Sequence, residues 1–201
     1  MIAIIDYNTG NLFSVTCALD RLDAEYVVTS SPEEIKAADS VILPGVGEAS
    51  SAMSNLRVTG LDKLIPTLKV PVLGICIGMQ LMCRSSEEGK ASCMGIFSNE
   101  VLRLKGEELN GDSLKVPHMG WNSITNLKTT LFEGIDEGEY LYFVHSFAPA
   151  IGKATIATTS YGTDFSSALY SGNFFGTQFH PEKSGGVGER ILRNFINIKI
   201  D

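Results

Sequence analysis

The chain has 201 residues, 44% of them hydrophobic, with a formal net charge of −7 and a pI near 5.0. A chain of this length builds one substantial core, and an acidic balance with no run of Lys or Arg argues against nucleic acid as partner, because that binding depends on cations neutralising phosphates. No apolar stretch approaches the ~20 residues of a membrane-spanning helix, and the opening Met1-Ile2-Ala3-Ile4-Ile5-Asp6 lacks the basic start and small-residue cleavage site of a signal peptide.

The first half alternates short β-like runs with helical patterns. Residues 2–5 form an apolar strand. Residues 11–22 place Leu12, Val15, Leu19 and Leu22 at helical spacing. Strands are predicted at 26–29, 41–43 and 70–75, helices at 32–38 and from 77 onward, and a broken helix over 51–68. Repeated βα units with nearly continuous apolar strands predict a mostly parallel, two-faced sheet flanked by helices. The middle changes character. Residues 97–124 hold β-like pieces with turns, and Leu109-Asn110-Gly111-Asp112 has the Asn-Gly signature of a hairpin. Strands at 140–144, 154–159, 168–171 and 174–179 predict an antiparallel or mixed β extension. An amphipathic helix over 187–198 turns Ile191, Leu192, Phe195 and Ile198 inward. With no repeat, low-complexity tract or linker, residues 1–201 read as one α/β domain.

One segment carries most of the chemistry. Gly74-Ile75-Cys76-Ile77-Gly78-Met79-Gln80 follows the apolar run 70–73 and precedes a helical pattern. A cysteine between glycines at a strand-to-helix junction is the thiol form of a nucleophile elbow, where a side chain on either flank would strike the adjoining strand or helix. The turn holds the sulfur at a helix N-terminus, where the dipole and free N–H groups favour thiolate. Such a nucleophile needs a base, and the base an orienting group. Gly176-Thr177-Gln178-Phe179-His180-Pro181-Glu182-Lys183 supplies both. Residues two apart in an extended segment share a face, so Glu182 fixes the tautomer of His180. Of the other histidines, His145 is the second candidate base, and His118 follows a proline in a loop-like stretch. Local hydrogen bonding suits these two better than catalysis.

The elbow geometry makes the N–H of Ile77 one oxyanion donor. A second belongs on a Gly-rich loop after another parallel strand, where open sheets place ligands. Val41-Ile42-Leu43-Pro44-Gly45-Val46-Gly47 fits; it has neither a Walker lysine nor the full dinucleotide fingerprint. Gln80, one helical turn past Cys76, is placed to face the same pocket. Cys17 and Cys83 lie in apolar helical patterns and are expected in the core; Cys93 has no assigned place. The four cysteines show neither metal spacing nor a disulfide framework, so free thiols in a reducing cytoplasm, no metal and no cofactor are expected.

GICIGMQ followed far downstream by FHPEKS resembles the class I (triad-type) glutamine amidotransferases. Ile4-Ile5-Asp6-Tyr7-Asn8-Thr9-Gly10-Asn11-Leu12, Leu43-Pro44-Gly45-Val46-Gly47, Val116-Pro117-His118-Met119-Gly120-Trp121-Asn122 and Tyr142-Phe143-Val144-His145-Ser146-Phe147 are similar to the HisH family within that class. HisH proteins are the glutaminase subunits of imidazole glycerol phosphate synthase in histidine biosynthesis. The resemblance implies a flavodoxin-like fold, a Cys76–His180–Glu182 triad, an oxyanion donor from the Val46 or Gly47 backbone, and substrate contacts from Gln80, Ser146 and Phe147. It also implies L-glutamine as substrate and a heterodimer with the cyclase subunit HisF, with Asn8, Asn11, Trp121 and Lys183 facing that partner. The stretch Glu48-Ala49-Ser50 departs from the pattern, where many relatives carry phenylalanine and glycine. The core elements end near Ile198, leaving no room for a synthase domain, so a separate ammonia acceptor is expected. The competing readings are a glutaminase subunit of another amidotransferase, a stand-alone cysteine hydrolase of the same fold, and a non-enzymatic interaction module.

Overall fold

Strand and helix alternate through the first part of the chain, as the apolar runs require. In order these are β1 (Ile2–Ile5), α1 (Leu12–Arg21), β2 (Tyr26–Thr29), α2 (Pro32–Ala37), β3 (Ser40–Leu43), α3 (Ala49–Thr59), α4 (Leu61–Leu64), β4 (Val72–Ile75) and α5 (Ile77–Met82). Short strands then take over: β5 (Ser85–Ser86), β6 (Ala91–Ser92), β7 (Glu100–Arg103), β8 (Glu108–Leu109), β9 (Asp112–Ser113), β10 (His118–Ser123), β11 (Tyr140–His145), β12 (Phe147–Pro149), β13 (Thr155–Tyr161), β14 (Thr163–Ser171) and β15 (Phe174–Thr177). The final helix is α6 (Gly185–Asn197). This computed structural model describes residues 1–8, 11–106, 108–109 and 112–199.

The main sheet has seven strands in the order β13-β14-β15-β4-β3-β1-β2. The five from β15 to β2 are parallel, and β13 and β14 extend the sheet antiparallel. β1, β3 and β4 are buried along their whole length, which is why they read as unbroken apolar runs rather than alternating ones. Helices supply the covering layers. α1 buries Val15, Ala18 and Leu19, and α6 buries Ile191, Leu192 and Phe195. α1 begins where the Asn11 side chain accepts the Ser14 N–H, and α2 begins on Ser31 with Pro32 in its first turn, the usual helix-start chemistry.

The predicted β extension is split. β13 and β14 join the main sheet, β10 and β11 pair separately, and β12-β7-β5-β6 form a small sheet of their own. β5, β6 and β12 were not expected, because two or three residues are too few to show a period. β8 and β9 pair antiparallel as a hairpin requires; its Asn110-Gly111 turn lies outside the described residues, as do Thr9 and Gly10. Cys17 is half-buried rather than in the core, while Cys83 is buried as expected. Cys93 is half-buried, and burial pushes its thiol up to about 11.

Candidate active site

β4 and β15 lie side by side in parallel, with Ile75 opposite Thr177. The next residues are Cys76 after one strand and Gln178 after the other, so two segments about a hundred positions apart meet at the carboxyl ends of two central strands. Cys76 sits at φ +54°, ψ −109° between β4 and α5. A non-glycine residue there is held against a cost of about 1–3 kcal/mol by its surroundings. Those surroundings are tight on both flanks. A Cβ on Gly78 would stand 1.8 Å from the Leu43 carbonyl oxygen, and one on Gly74 would stand 2.6 Å from the Met79 nitrogen. The glycines are therefore required by the close approach of α5 to β3 and β4. The Cys76 N–H is fixed too, donating to the Thr177 carbonyl at 2.7 Å.

Cys76 and His180 line one cavity of about 300 Å³, together with Val46, Gly47, Ile77, Gln80, Glu88, Pro117, Val144, His145, Ser146 and Phe147. His180 Nδ1 bonds Glu182 Oε1 at 2.7 Å, and both side chains are almost fully buried. The His180 backbone is pinned as well. Its N–H donates to the Tyr142 carbonyl, and its own carbonyl accepts from Ser184 Oγ at 2.6 Å. With Nδ1 taken by Glu182, Nε2 is the nitrogen left free to face the cavity, and among the described residues it makes no hydrogen bond of ordinary geometry. Burial alone would lower the His180 pKa. The Cys76 sulfur beside it and then Glu182 outweigh burial and raise it to about 10, so the imidazolium is the neutral-pH form.

Gln80 is buried behind the sulfur. Its Nε2 donates to the Phe147 carbonyl and to Gln178 Oε1, each at 2.9 Å, and Gln178 Nε2 in turn lies 3.6 Å from Cys76 Sγ. The Phe147 carbonyl also meets His145 Nδ1 at 2.9 Å. A carbonyl only accepts, so His145 carries its proton on Nδ1 and accepts at Nε2. His118 Nδ1, 3.0 Å away, must donate to that Nε2, and Asn122 Nδ2 donates to His118 Nε2 at 3.3 Å. Burial pushes His118 down to about 4. Burial and then the neighbouring His118 push His145 down to about 3. Both rings are thus neutral and hydrogen-bonded within the fold, as expected of His118 and His145 from the sequence.

A family model, glutamine amidotransferase class-I, matches residues 3–198. The chain belongs to the class I glutamine amidotransferases. Imidazole glycerol phosphate synthase subunit HisH of Bacteroides fragilis (strain YCH46) is 53% identical over 200 residues, covering 98% of this chain and 99% of the relative. The corresponding subunits of Bacteroides thetaiotaomicron, at 52% over 98% of this chain and 99% of the relative, and of Dehalococcoides mccartyi, at 44% over 100% and 98%, are similar too. Within the class, the chain therefore falls in the HisH family. Among solved structures, a glutamine amidotransferase aligns with TM-score 0.72 at 18% identity, over 98% of this chain and 97% of that one. PurLQS from Thermotoga maritima aligns with TM-score 0.68 at 17% identity, over 98% and 97%. At such identities these two speak for the fold alone.

Of the remaining predicted positions of this amidotransferase, five line the cavity: Val46, Gly47, Ile77, Ser146 and Phe147. Val46 is 40% exposed and Gly47 has φ +100°, and both line the cavity together with Ile77. Ser146 and Phe147 line it as well, but the Phe147 carbonyl is already engaged twice. Trp121 is 55% exposed, on a strand that also presents Met119. Asn8 and Lys183 are exposed, whereas Asn11 is half-buried with its side chain committed to the start of α1. Glu48, Ala49 and Ser50 open α3: Glu48 accepts from the Ser50 and Ser51 hydroxyls at 2.7 and 2.9 Å, which hold its carboxyl below the usual range. Two lining residues, Glu88 and Val144, and Gln178 beside the sulfur escaped the sequence reading. Glu88 accepts the Ala49 N–H at 2.9 Å and is raised by burial; the Val144 carbonyl lies 3.9 Å from the sulfur; and Gln178 sits against it. Only Gln178 had a signal: it follows directly on β15 and stands two residues before His180. Among the described residues no group of three or more His, Cys, Asp and Glu side chains could hold a metal ion, and no helix is long and apolar enough to cross a membrane.

Proposed function

We propose that this chain is a single amidotransferase domain, residues 1–201, acting in the cytoplasm as the glutaminase subunit of imidazole glycerol phosphate synthase, with HisF as its partner. The observation that carries the reading is a strained cysteine sharing one cavity with a histidine that is itself bonded to a buried carboxylate, in a chain more than half identical to a HisH subunit.

In this reading the Cys76 thiolate attacks the side-chain carbonyl carbon of L-glutamine. The N–H of Ile77 and a backbone donor from Val46 or Gly47 receive the developing oxyanion, each contributing roughly 3 kcal/mol. Protonated His180 passes its proton to the departing ammonia, leaving a γ-glutamyl thioester. Water then attacks the thioester, neutral His180 takes its proton, and glutamate leaves as the thiolate is restored. Glu182 keeps the His180 tautomer fixed throughout. Gln80 Oε1 is buried and makes no hydrogen bond among the described residues, so it is an acceptor held ready for a substrate N–H. Ser146 and Phe147 complete the substrate pocket. Ammonia in neutral water is mostly protonated and a poor nucleophile, so its release calls for an acceptor docked over the cavity. Phe13, Met119, Trp121 and Tyr140 are large apolar side chains left exposed. With Asn8, Asn11 and Lys183 they suit the docking of HisF, which uses ammonia to make imidazole glycerol phosphate and aminoimidazole carboxamide ribotide.

The test is glutamine hydrolysis by the wild-type chain with and without HisF and its nucleotide ligand, followed by Cys76→Ala. Glutamine-dependent synthesis falls at least about a thousandfold, on the order of a lost nucleophile, while ammonia-dependent synthesis by the complex persists. Loss of both activities from an assembled complex would overturn the role given to Cys76.

A further inference from the structure

The geometry points to Gln178 as a further catalytic residue, one that donates an amide N–H to the Cys76 sulfur and is held in that orientation by Gln80. The inference rests on the reading of Cys76 as nucleophile and adds a group to it. Gln178 is fully buried, directly beside Cys76 across the β4–β15 pair. Its Nε2 stands 3.6 Å from Sγ, a distance suited to N–H···S because sulfur is larger than oxygen.

The two ends of the Gln178 amide cannot be exchanged. Its Oε1 faces Gln80 Nε2 at 2.9 Å, and that nitrogen is identified by its second contact, since the Phe147 carbonyl accepts only from a donor. A reversed Gln178 would set N–H against N–H at Gln80 and a carbonyl oxygen against a thiolate, so both contacts would become repulsive. The Phe147 carbonyl is held in turn by His145, His145 by His118, and His118 by Asn122. Asn122 Nδ2 is tied to the Ser160 carbonyl at 3.0 Å as well. The orientation of each amide and ring in this network is set by its neighbours, and the last free N–H is left for the sulfur.

A neutral donor against a buried anion stabilises it without adding a competing charge. α5 spans only Ile77–Met82, a short helix whose dipole is correspondingly limited. Gln178 therefore supplies what the short helix does not: a fixed dipole aimed at the sulfur from a buried, low-dielectric position.

The experiment is the pH profile of iodoacetamide alkylation at Cys76 in the full-length chain, read by peptide mass spectrometry, for wild type and Gln178→Met. Methionine keeps length and volume and removes both the donor and the acceptor. The profile for Cys76 moves to higher pH by about one unit, the tenfold expected on losing a hydrogen bond to a charged group, while Cys17 alkylates as before. With HisF, kcat for glutamine hydrolysis falls about tenfold and KM stays within about twofold. If Gln178→Met does not fold, Gln178→Asn draws the amide back by one methylene and shifts the profile the same way. A Cys76 profile that superimposes on wild type in a folded variant overturns the proposal. Alkylation needs neither glutamine nor HisF. A wild-type chain inert as a glutaminase therefore counts against the functional reading, while the alkylation profile judges Gln178 separately.

Discussion

The two walls of the cavity are built on opposite principles. The elbow wall, from Gly74 to Gly78, is wedged: strand and helix backbones meet so closely that a single methyl group has no place to go. The wall formed by Val46 and Gly47 is open. A Cβ on Gly47 would meet nothing within 4 Å, and its φ of +100° is the one feature that asks for glycine. Packing fixes the sulfur and reaches the root of the facing loop at Gly45, whose Cβ would stand 2.7 Å from the Gly78 nitrogen, whereas at Gly47 backbone torsion alone asks for glycine. Identical residues thus serve different ends within one cavity.

The sharpest way to break this contrast is to add the same methyl group on each side. Gly78→Ala drives a Cβ into the Leu43 carbonyl and lowers stability by about 3 kcal/mol or more, read from the urea midpoint. Gly47→Ala costs only about 1–2 kcal/mol, the strain of a positive φ, yet lowers kcat for glutamine by at least about tenfold, because the loop turns its backbone away from the oxyanion. Equal stability losses at the two positions would abolish the distinction between a packed and an open wall.

A smaller effect separates the histidines behind the walls. His118 and His145 are held below the unfolded value of about 6.5, at about 4 and about 3. The stability they contribute is complete above about pH 6.5 and is lost as the pH falls through about 4 and then about 3. His180 runs the other way: raised to about 10, it contributes fully below about pH 6.5 and loses that contribution as the pH rises through about 10. Imidazole NMR signals taken from about pH 4.5 to about pH 8.5 show His180 protonated and His145 neutral across the whole range. A His180 ring that is neutral at about pH 7 would contradict the rise that its Cys76 and Glu182 neighbours impose.

The sequence made the parallel sheet legible because β1, β3 and β4 are buried on both faces and carry almost no polar interruption. It made the elbow legible because close packing leaves glycine as the only choice at 74 and 78. The pairing of His180 with Glu182 was expected from an extended segment, but β15 stops at Thr177 and Glu182 lies in the 3-10 turn Pro181–Lys183, so the turn rather than a period of two brings the two side chains together. Trp121 was readable as a surface group only through resemblance, since an isolated tryptophan ordinarily goes inside. Glu88 and the Val144 carbonyl were beyond reach: Glu88 arrives on a turn too short to show a pattern, and a carbonyl carries no residue identity at all. Cys17 misled because an apolar stripe on α1 is narrower than the helix, and positions at its edge are only half covered.

Setting β15 beside β4 has a consequence for biosynthesis. Cys76 emerges from the ribosome early, but His180 and Glu182 belong to the turn that follows β15, the last strand in chain order. A chain that ends before β15 carries Cys76 without Gln178, His180 or Glu182 beside it. Every group that meets the sulfur from that side arrives on the last strand and the turn after it.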